Sequence, residues 1–241
     1  MAILAGGRAT RLRPLTETKP KAMVEVNGRP FIQHQIALLR ANGLRDIVMC
    51  TGHLGEQIEC FVGDGARFDV RVWYSSDGDT LLGTAGALRK AKKWLDSPFF
   101  VLYGDSYLDV DYQEIYRRFV QSGEQALMTV YRNRGRWDVS NVVFAEGQVR
   151  KYDKQNPSPD MEYIDYGLSV LTPEILEAIP DNRASDLAAV YHSLVGEGRL
   201  AGLEVFNRFY EIGTHKGLRE LEEHLSGRDD SHVLDGVLKG D

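Results

Sequence analysis

Cysteine is scarce: Cys50 and Cys60 are the only two in 241 residues. Their spacing fits neither a zinc site nor a redox pair, so both are read as reduced thiols. The six histidines have no close metal-ligand spacing, and His53, just after a strand, is read as a surface residue. No apolar run approaches the length of a membrane span, and no charged start leads into an apolar stretch that would read as a secretory leader. A cytoplasmic protein is therefore expected. Positive charge is not in excess either: 29 Lys and Arg against 35 Asp and Glu leave a formal charge of −6. That balance disfavours nucleic acid and anionic membranes as partners, because both are bound through clustered cations that release counterions. No hexapeptide period runs through the chain, so it encodes no β-helix.

What is present is ordinary in bulk and unusual in one place. Hydrophobic content of 43% and charged content of 27% suit a globular protein, and the length suits one domain with a substantial core. The unusual place is the stretch from Ala2 to Met23. Its apolar start, Ala2-Ile3-Leu4-Ala5, reads as a buried strand that ends at Gly6-Gly7, where backbone amides can approach a ligand without a Cβ in the way. Arg8, Arg11, Arg13, Lys19 and Lys21 follow within a few residues, so amides and cations can converge on a polyphosphate. The segment is not a Walker loop, since no Gly-Lys-Ser/Thr closes it.

Further along, hydrophobic periodicity alternates between strand and helix. Strands are expected over Ala22–Gly28, Asp46–Thr51, Asp69–Tyr74, Pro98–Tyr103, Ala126–Tyr131 and Tyr163–Leu171, with a hairpin of Asn141–Phe144 against Gln148–Tyr152. Helices are expected from Pro30 to Asn42, Glu56 to Val62, Leu82 to Trp94, Asp111 to Ser122, Thr172 onward, Ser185 to Glu197 and His215 to Leu225. This order implies an α/β fold, Rossmann-like, with a mixed, mostly parallel sheet flanked by helices. Ligands in such folds bind at the carboxyl ends of the strands. Residues 1–225 are expected as one domain in two halves, 1–131 and 132–225, with 226–241 a flexible tail.

The run from Gly6 to Lys21 resembles the signature Gly-Gly-x-Gly-Thr-Arg-Leu-x-Pro-Leu-Thr-x-x-x-Pro-Lys of the sugar-phosphate nucleotidyltransferases, with Ala9 in place of the third glycine. Alanine is disfavoured at φ > 0 where glycine is not. Further short motifs follow in the family's order: Leu82-Gly83-Thr84-Ala85-Gly86, Gly104-Asp105, Asp153-Lys154, Asp165-Tyr166-Gly167 and, last, Phe209-Tyr210-Glu211-Ile212-Gly213-Thr214.

The resemblance, nearest in character to mannose or heptose 1-phosphate guanylyltransferases, implies a glycosyltransferase-A-like fold. It also implies transfer of a nucleoside monophosphate from a triphosphate to a sugar 1-phosphate, with Mg²⁺ as cofactor. Backbone at Leu4, Ala5, Gly6, Gly7 and Gly83 would meet the nucleotide. Arg11 would stabilise the β- and γ-phosphates and Lys21 the α-phosphate, Asp105 and Glu211 would hold the metal, and Asp153, Lys154, Asp165 and Gly167 would line the sugar phosphate.

Two positions depart from the usual pattern. Asp165 stands where asparagine is common and lacks its amide donors, and Glu211 stands where aspartate is common. The resemblance also puts Asp77 where relatives tend to read the base. A carboxylate only accepts hydrogen bonds, and guanine offers N1–H and N2–H₂ side by side, which favours GTP. Rival readings are a cytidylyltransferase for a non-sugar phosphate and a non-catalytic nucleotide-sugar sensor. A homo-oligomer is left open.

Overall fold

The computed structural model describes residues 1–227. In chain order the elements are β1 (Ala2–Ala5), β2 (Glu25–Val26), β3 (Arg29–Pro30), α1 (Phe31–Ala41), β4 (Asp46–Thr51), α2 (Gly55–Val62) and β5 (Arg71–Ser76). There follow α3 (Gly83–Lys90), β6 (Phe99–Tyr103), β7 (Ser106–Tyr107), α4 (Tyr112–Ser122), β8 (Ala126–Arg132), β9 (Val142–Ala145) and β10 (Gln148–Tyr152). The chain continues through β11 (Tyr163–Leu171), α5 (Leu187–Gly196), β12 (Leu200–Val205), β13 (Tyr210–Glu211) and α6 (His215–Ser226). The architecture is the expected α/β one. Beyond residue 227, the expected tail lies outside the described residues. No described helix is long and apolar enough to cross a membrane.

Three local expectations are corrected. Ala22 and Met23 belong to a 3₁₀ turn, Lys21–Met23, and the strand is only β2. Asn27 and Gly28 then take φ of 49° and 74° and close a two-residue turn onto β3, the left-handed pair that an Asn-Gly hairpin demands. The strand expected from Asp69 starts at Arg71, because Asp69 adopts φ 57° and ends another 3₁₀ turn. Thr172-Pro173-Glu174 opens a 3₁₀ segment, Pro173–Ala178. Strand β12 was not expected from the sequence. Gly202 interrupts its pattern, and a Cβ there would lie 2.6 Å from the Phe144 ring.

The chain forms two compact units. The first comprises Met1–Leu81, Tyr103–Asp109 and the residues from Phe209 onward; the second comprises Leu82–Leu102 and Val110–Arg208. In the first, β5, β4 and β1 lie side by side and parallel, in that order. Ala2 and Ile3 of β1 and Ile47 to Cys50 of β4 are buried, as strands covered on both faces require. Ala5 pairs with Thr51 and Thr51 with Ser76. All three strands therefore end level, and Gly6, Gly52 and Asp77 leave the same edge together. A separate apolar cluster of Val26, Phe31, Tyr107, Ile212, Leu221 and Leu225 joins α1, α6 and the short pair β7–β13. The Leu218, Leu221, Leu225 spacing supplies the buried stripe of α6.

The second unit carries β6, β11, β8, β12, β10 and β9 in that order. Strand β11 is antiparallel to β6 and β8, and β12 is parallel to β8. The pairing of β11 with β8 shifts register between Asp165 and Ser169. Gly167, at φ 93°, sits in that irregularity, which is the backbone freedom a bulge calls for.

Candidate active site

The glycine loop is a built structure in the first unit. Gly6 approaches Gly52 so closely that a Cβ on Gly52 would lie 2.8 Å from the Gly6 carbonyl oxygen, and the His53 N–H donates to that same oxygen at 3.3 Å. Ala9 adopts φ 47°, ψ 46°, so the third-glycine position does carry the left-handed conformation that the motif suggests. Its carbonyl accepts the Thr16 hydroxyl at 2.8 Å and the Leu12 N–H at 3.2 Å. Leu12 and Thr16 are buried beneath the loop.

Of the five loop cations, the fold brings two together. The Lys21 ammonium is ion-paired with Asp105 Oδ2. A Cβ on Gly213 would lie 3.2 Å from Lys21 Nζ and 3.7 Å from an Arg11 guanidinium nitrogen, so the backbone at Gly213 rests against both cations. Lys19 instead pairs with exposed Glu25 at 3.1 Å, and Arg8 and Arg13 point to solvent. Of the five, Arg11 and Lys21 are the two that meet at Gly213.

Asp105 stands on a turn fixed from three sides. The Gly104 N–H donates to the Leu4 carbonyl at 2.9 Å, and the Ile212 N–H donates to the Asp105 carbonyl at 3.0 Å. From α1, the Gln35 amide donates to the carbonyls of Tyr103 and Ser106 at 3.1 and 2.8 Å. Gln35 is a functional-site residue that sequence reasoning missed. Its signal was a polar side chain on the apolar face formed by Phe31, Ile32, Ile36 and Leu39, all buried together with it. Glu211 pairs with Ser106 across β7–β13, which puts it one residue from Asp105 along the strand. Gly217 was also missed; it lets α6 pack onto the Glu211 carbonyl where any Cβ would collide.

The donor set suits a hard divalent cation. Among the described residues no group of three or more His, Cys, Asp or Glu gathers to form a complete cage. Magnesium does not need one, since it keeps several waters and takes one or two carboxylates together with substrate phosphates. Asp105 already accepts the Lys21 ammonium, so its carboxylate is set to receive positive charge.

Asp77 follows β5, with its N–H donating to the Thr51 carbonyl at 2.8 Å. It stands near buried Cys50, whose thiol is pushed up to about 12 by burial, with the Asp77 charge adding to the effect. Such a thiol is inert at neutral pH.

The second unit holds the remaining candidates. Gly83, at φ 69°, opens α3, and a Cβ there would lie 2.6 Å from the Ser185 carbonyl oxygen. Packing on Ser185 is thus sufficient reason for this glycine. Asp153 Oδ1 accepts the N–H groups of Gln155 and Asn156, both at 2.8 Å. Those bonds, the Asn156 one foremost, hold its carboxyl below the usual aspartate range. Lys154 Nζ lies 3.0 Å from Asp165 Oδ2, and the Gly167 N–H donates to Asp165 Oδ1 at 3.0 Å. Three of the four residues expected on the sugar side therefore form one connected group, with Tyr152 joining them through its hydroxyl.

Residues 1–227 match the Nucleotidyl transferase family. A UTP–glucose-1-phosphate uridylyltransferase of Synechocystis sp. is 29% identical over 81% of this chain and 55% of its own length. A mannose-1-phosphate guanyltransferase of Aspergillus fumigatus is 30% identical over 89% of this chain and 60% of its own. The chain thus spans somewhat more than half the length of these two curated relatives. The crystal structure of HddC from Yersinia pseudotuberculosis complexed with GMP-PN superposes with a TM-score of 0.74 at 22% identity, covering 93% of this chain and 98% of that one. The two chains share their fold.

Proposed function

The chain belongs to the Nucleotidyl transferase family, and from that premise we propose that it transfers a nucleoside monophosphate from a triphosphate to a sugar 1-phosphate, releasing pyrophosphate. The observation that carries this reading is the meeting of Arg11 and Lys21 at the Gly213 backbone, with Asp105 ion-paired to Lys21. Two cations and a carboxylate on a preorganised turn form the kind of set that neutralises a polyphosphate while one phosphoryl group is attacked. Backbone at Leu4, Ala5, Gly6, Gly7 and Gly83 contacts the nucleotide. Arg11 stabilises the charge that grows on the departing pyrophosphate, and Lys21 binds the α-phosphate. Asp105 and Glu211 would hold Mg²⁺, which when bound supplies further charge neutralisation at the phosphates. Lys154 binds the phosphate of the acceptor sugar, whose oxygen attacks the α-phosphorus in line. No protein nucleophile is required.

The base is guanine on this reading. Asp77 leaves the same sheet edge as Gly6, two strands away, and offers acceptors only, which guanine satisfies with two adjacent donors and uracil does not. Guanyltransferases for mannose 1-phosphate and a structure carrying GMP-PN stand among the similar proteins, which supports GTP with a mannose-like or heptose 1-phosphate. The uridylyltransferase of comparable identity makes UTP the competitor to measure.

Pyrophosphate release with Mg²⁺, from each triphosphate against a panel of sugar 1-phosphates, tests the whole reading. Turnover with GTP and a mannose or heptose 1-phosphate is expected, together with loss of the GTP preference in Asp77→Ala. Binding of a nucleotide sugar without any release of pyrophosphate would sink the transferase reading in favour of a sensor. A preference for UTP would remove the base argument alone.

A further inference from the structure

The Asp165 carboxylate is already occupied. Its Oδ1 accepts the Gly167 N–H at 3.0 Å, while its Oδ2 accepts the Lys154 ammonium at 3.0 Å and the Tyr152 hydroxyl at 3.3 Å. A carboxylate offers about four acceptor positions, so three are used, and the side chain is only 4% exposed. The backbone is fixed as well, with the Asp165 N–H donating to Asn141 Oδ1 at 3.0 Å. Lys154, by contrast, keeps 40% of its side chain open and lies 5.7 Å from the centre of the Tyr152 ring. Tyr152 is itself buried and packs edge-on against Tyr191.

We infer that Asp165 is a positioning residue: its buried carboxylate anchors Lys154, whose ammonium is thereby presented to a phosphate dianion, and it takes no sugar hydroxyl. This replaces the sequence-based expectation that Asp165 lines the sugar, and it rests on the reading of Lys154 as the acceptor-phosphate ligand.

Three observations from different parts of the second unit converge on it. The register shift in β11 turns the Gly167 N–H back onto Asp165 Oδ1, which fixes the carboxylate plane. Strand β10 supplies the Tyr152 hydroxyl, and Lys154 follows two residues later, so the anchor and its lysine are set by the same strand. The charges facing Lys154 agree with the geometry. Burial works to lower its pKa, but Asp165, through charge and hydrogen bond, with Tyr191 of α5 and the N-cap residue Asp186 adding less, carries it above the ordinary lysine value. An ammonium held this way stays charged without a ligand, and a phosphate can approach its exposed side without displacing the anchor.

Asp165→Asn separates this role from its alternatives, because asparagine keeps the Oδ1 acceptor for Gly167 and replaces the charged Oδ2 acceptor with an amide donor that cannot hold the Lys154 ammonium. Trace acylation with acetic anhydride near neutral to mildly alkaline pH, read by mass spectrometry on the Lys154 peptide, should rise about tenfold for each unit by which the lysine pKa falls. In kinetics, KM for the sugar 1-phosphate should rise by about tenfold or more, while KM for the triphosphate and the ranking of mannose against glucose 1-phosphate stay as they were. Unchanged acylation, or a changed sugar ranking with unchanged acylation, would overturn the inference. Should the variant not fold, the wild-type acylation profile decides: an inflection above that of a free-lysine peptide supports the anchor, and one at or below it removes the anchor. A positive acylation result from a protein that releases pyrophosphate with no sugar 1-phosphate would leave the anchor standing and defeat the proposed function instead.

Discussion

Each unit's group of candidate residues includes a lysine–aspartate ion pair, Lys21–Asp105 and Lys154–Asp165, and the two are built the opposite way round. In the first, the lysine is the more sheltered partner: Lys21 is 16% exposed and Asp105 27%. In the second, Asp165 is 4% exposed and Lys154 40%. The difference comes from where the aspartate stands. Asp105 stands on a turn whose backbone groups are satisfied by Gln35, Leu4 and Ile212, so its carboxylate is not needed to complete the fold. Asp165 lies within a strand, at a register shift, where its carboxylate must satisfy the Gly167 N–H. The first pair therefore offers a carboxylate and the second an ammonium. Residue type alone does not say which member of a pair is the more exposed; the backbone's own hydrogen-bond needs bear on it.

The largest effect expected from breaking this contrast is at Asp105. Asp105→Ala should lower kcat by about a thousandfold or more, the upper range for removing one preorganised charge-stabilising group, while thermal stability stays close to wild type because no backbone bond depends on the side chain. Asp105→Asn and Asp165→Asn then form a matched pair. The first should raise the Mg²⁺ concentration needed for half-maximal pyrophosphate release, and the second should leave it unchanged. If both variants shift it equally, the two pairs are not opposites.

Arg11→Ala and Lys21→Ala come next, each expected to slow turnover by about a hundredfold. The two cations flank Gly213 from different parts of the loop, so single-turnover rates on the double variant should reveal coupling. Purely additive losses would mean that they act on separate groups. A wild-type rate in either single variant would return that residue to the solvated charges of Arg8 and Arg13.

Much of this was legible in the sequence, and what was not has a common cause. Strands β1, β4 and β6 and helices α1, α4 and α6 announce themselves through local periodicity and caps. Asp111, for example, accepts the Glu114 N–H at 2.9 Å just as an N-cap aspartate should. Asp105, Arg11 and Lys21 could be singled out because their motifs are contiguous. Gln35, Gly217 and Tyr152 could not, because each acts through a partner far along the chain: Tyr103 and Ser106, Glu211, and Asp165 respectively. The partners of Asp165 were hidden for the same reason. Its carboxylate is spent on Lys154 and on a bulge that exists only once β11 pairs with β8.

The smallest effect tests how each unit carries its backbone strain. Both sites need a residue at positive φ beside the functional lysine or arginine: Ala9 at 47° in the first unit and Gly167 at 93° in the second. An L-residue in the left-handed region costs about 1–2 kcal/mol, and glycine removes that cost while giving back roughly 0.5–1 kcal/mol in chain entropy on folding. Ala9→Gly should therefore stabilise the protein by about 0.5–1 kcal/mol in urea unfolding. The Ala9 carbonyl would keep its bonds from Thr16 and Leu12, so turnover should change little. Gly167→Ala should do the reverse, destabilising by at least as much as Ala9→Gly gains, since no relief accompanies the new Cβ. Were Ala9→Gly to gain stability but lose turnover, the alanine would be stiffening the loop that carries Arg11. The strained backbone of the first unit would then contribute to placing the cation, as the bulge at Gly167 does for Lys154 in the second.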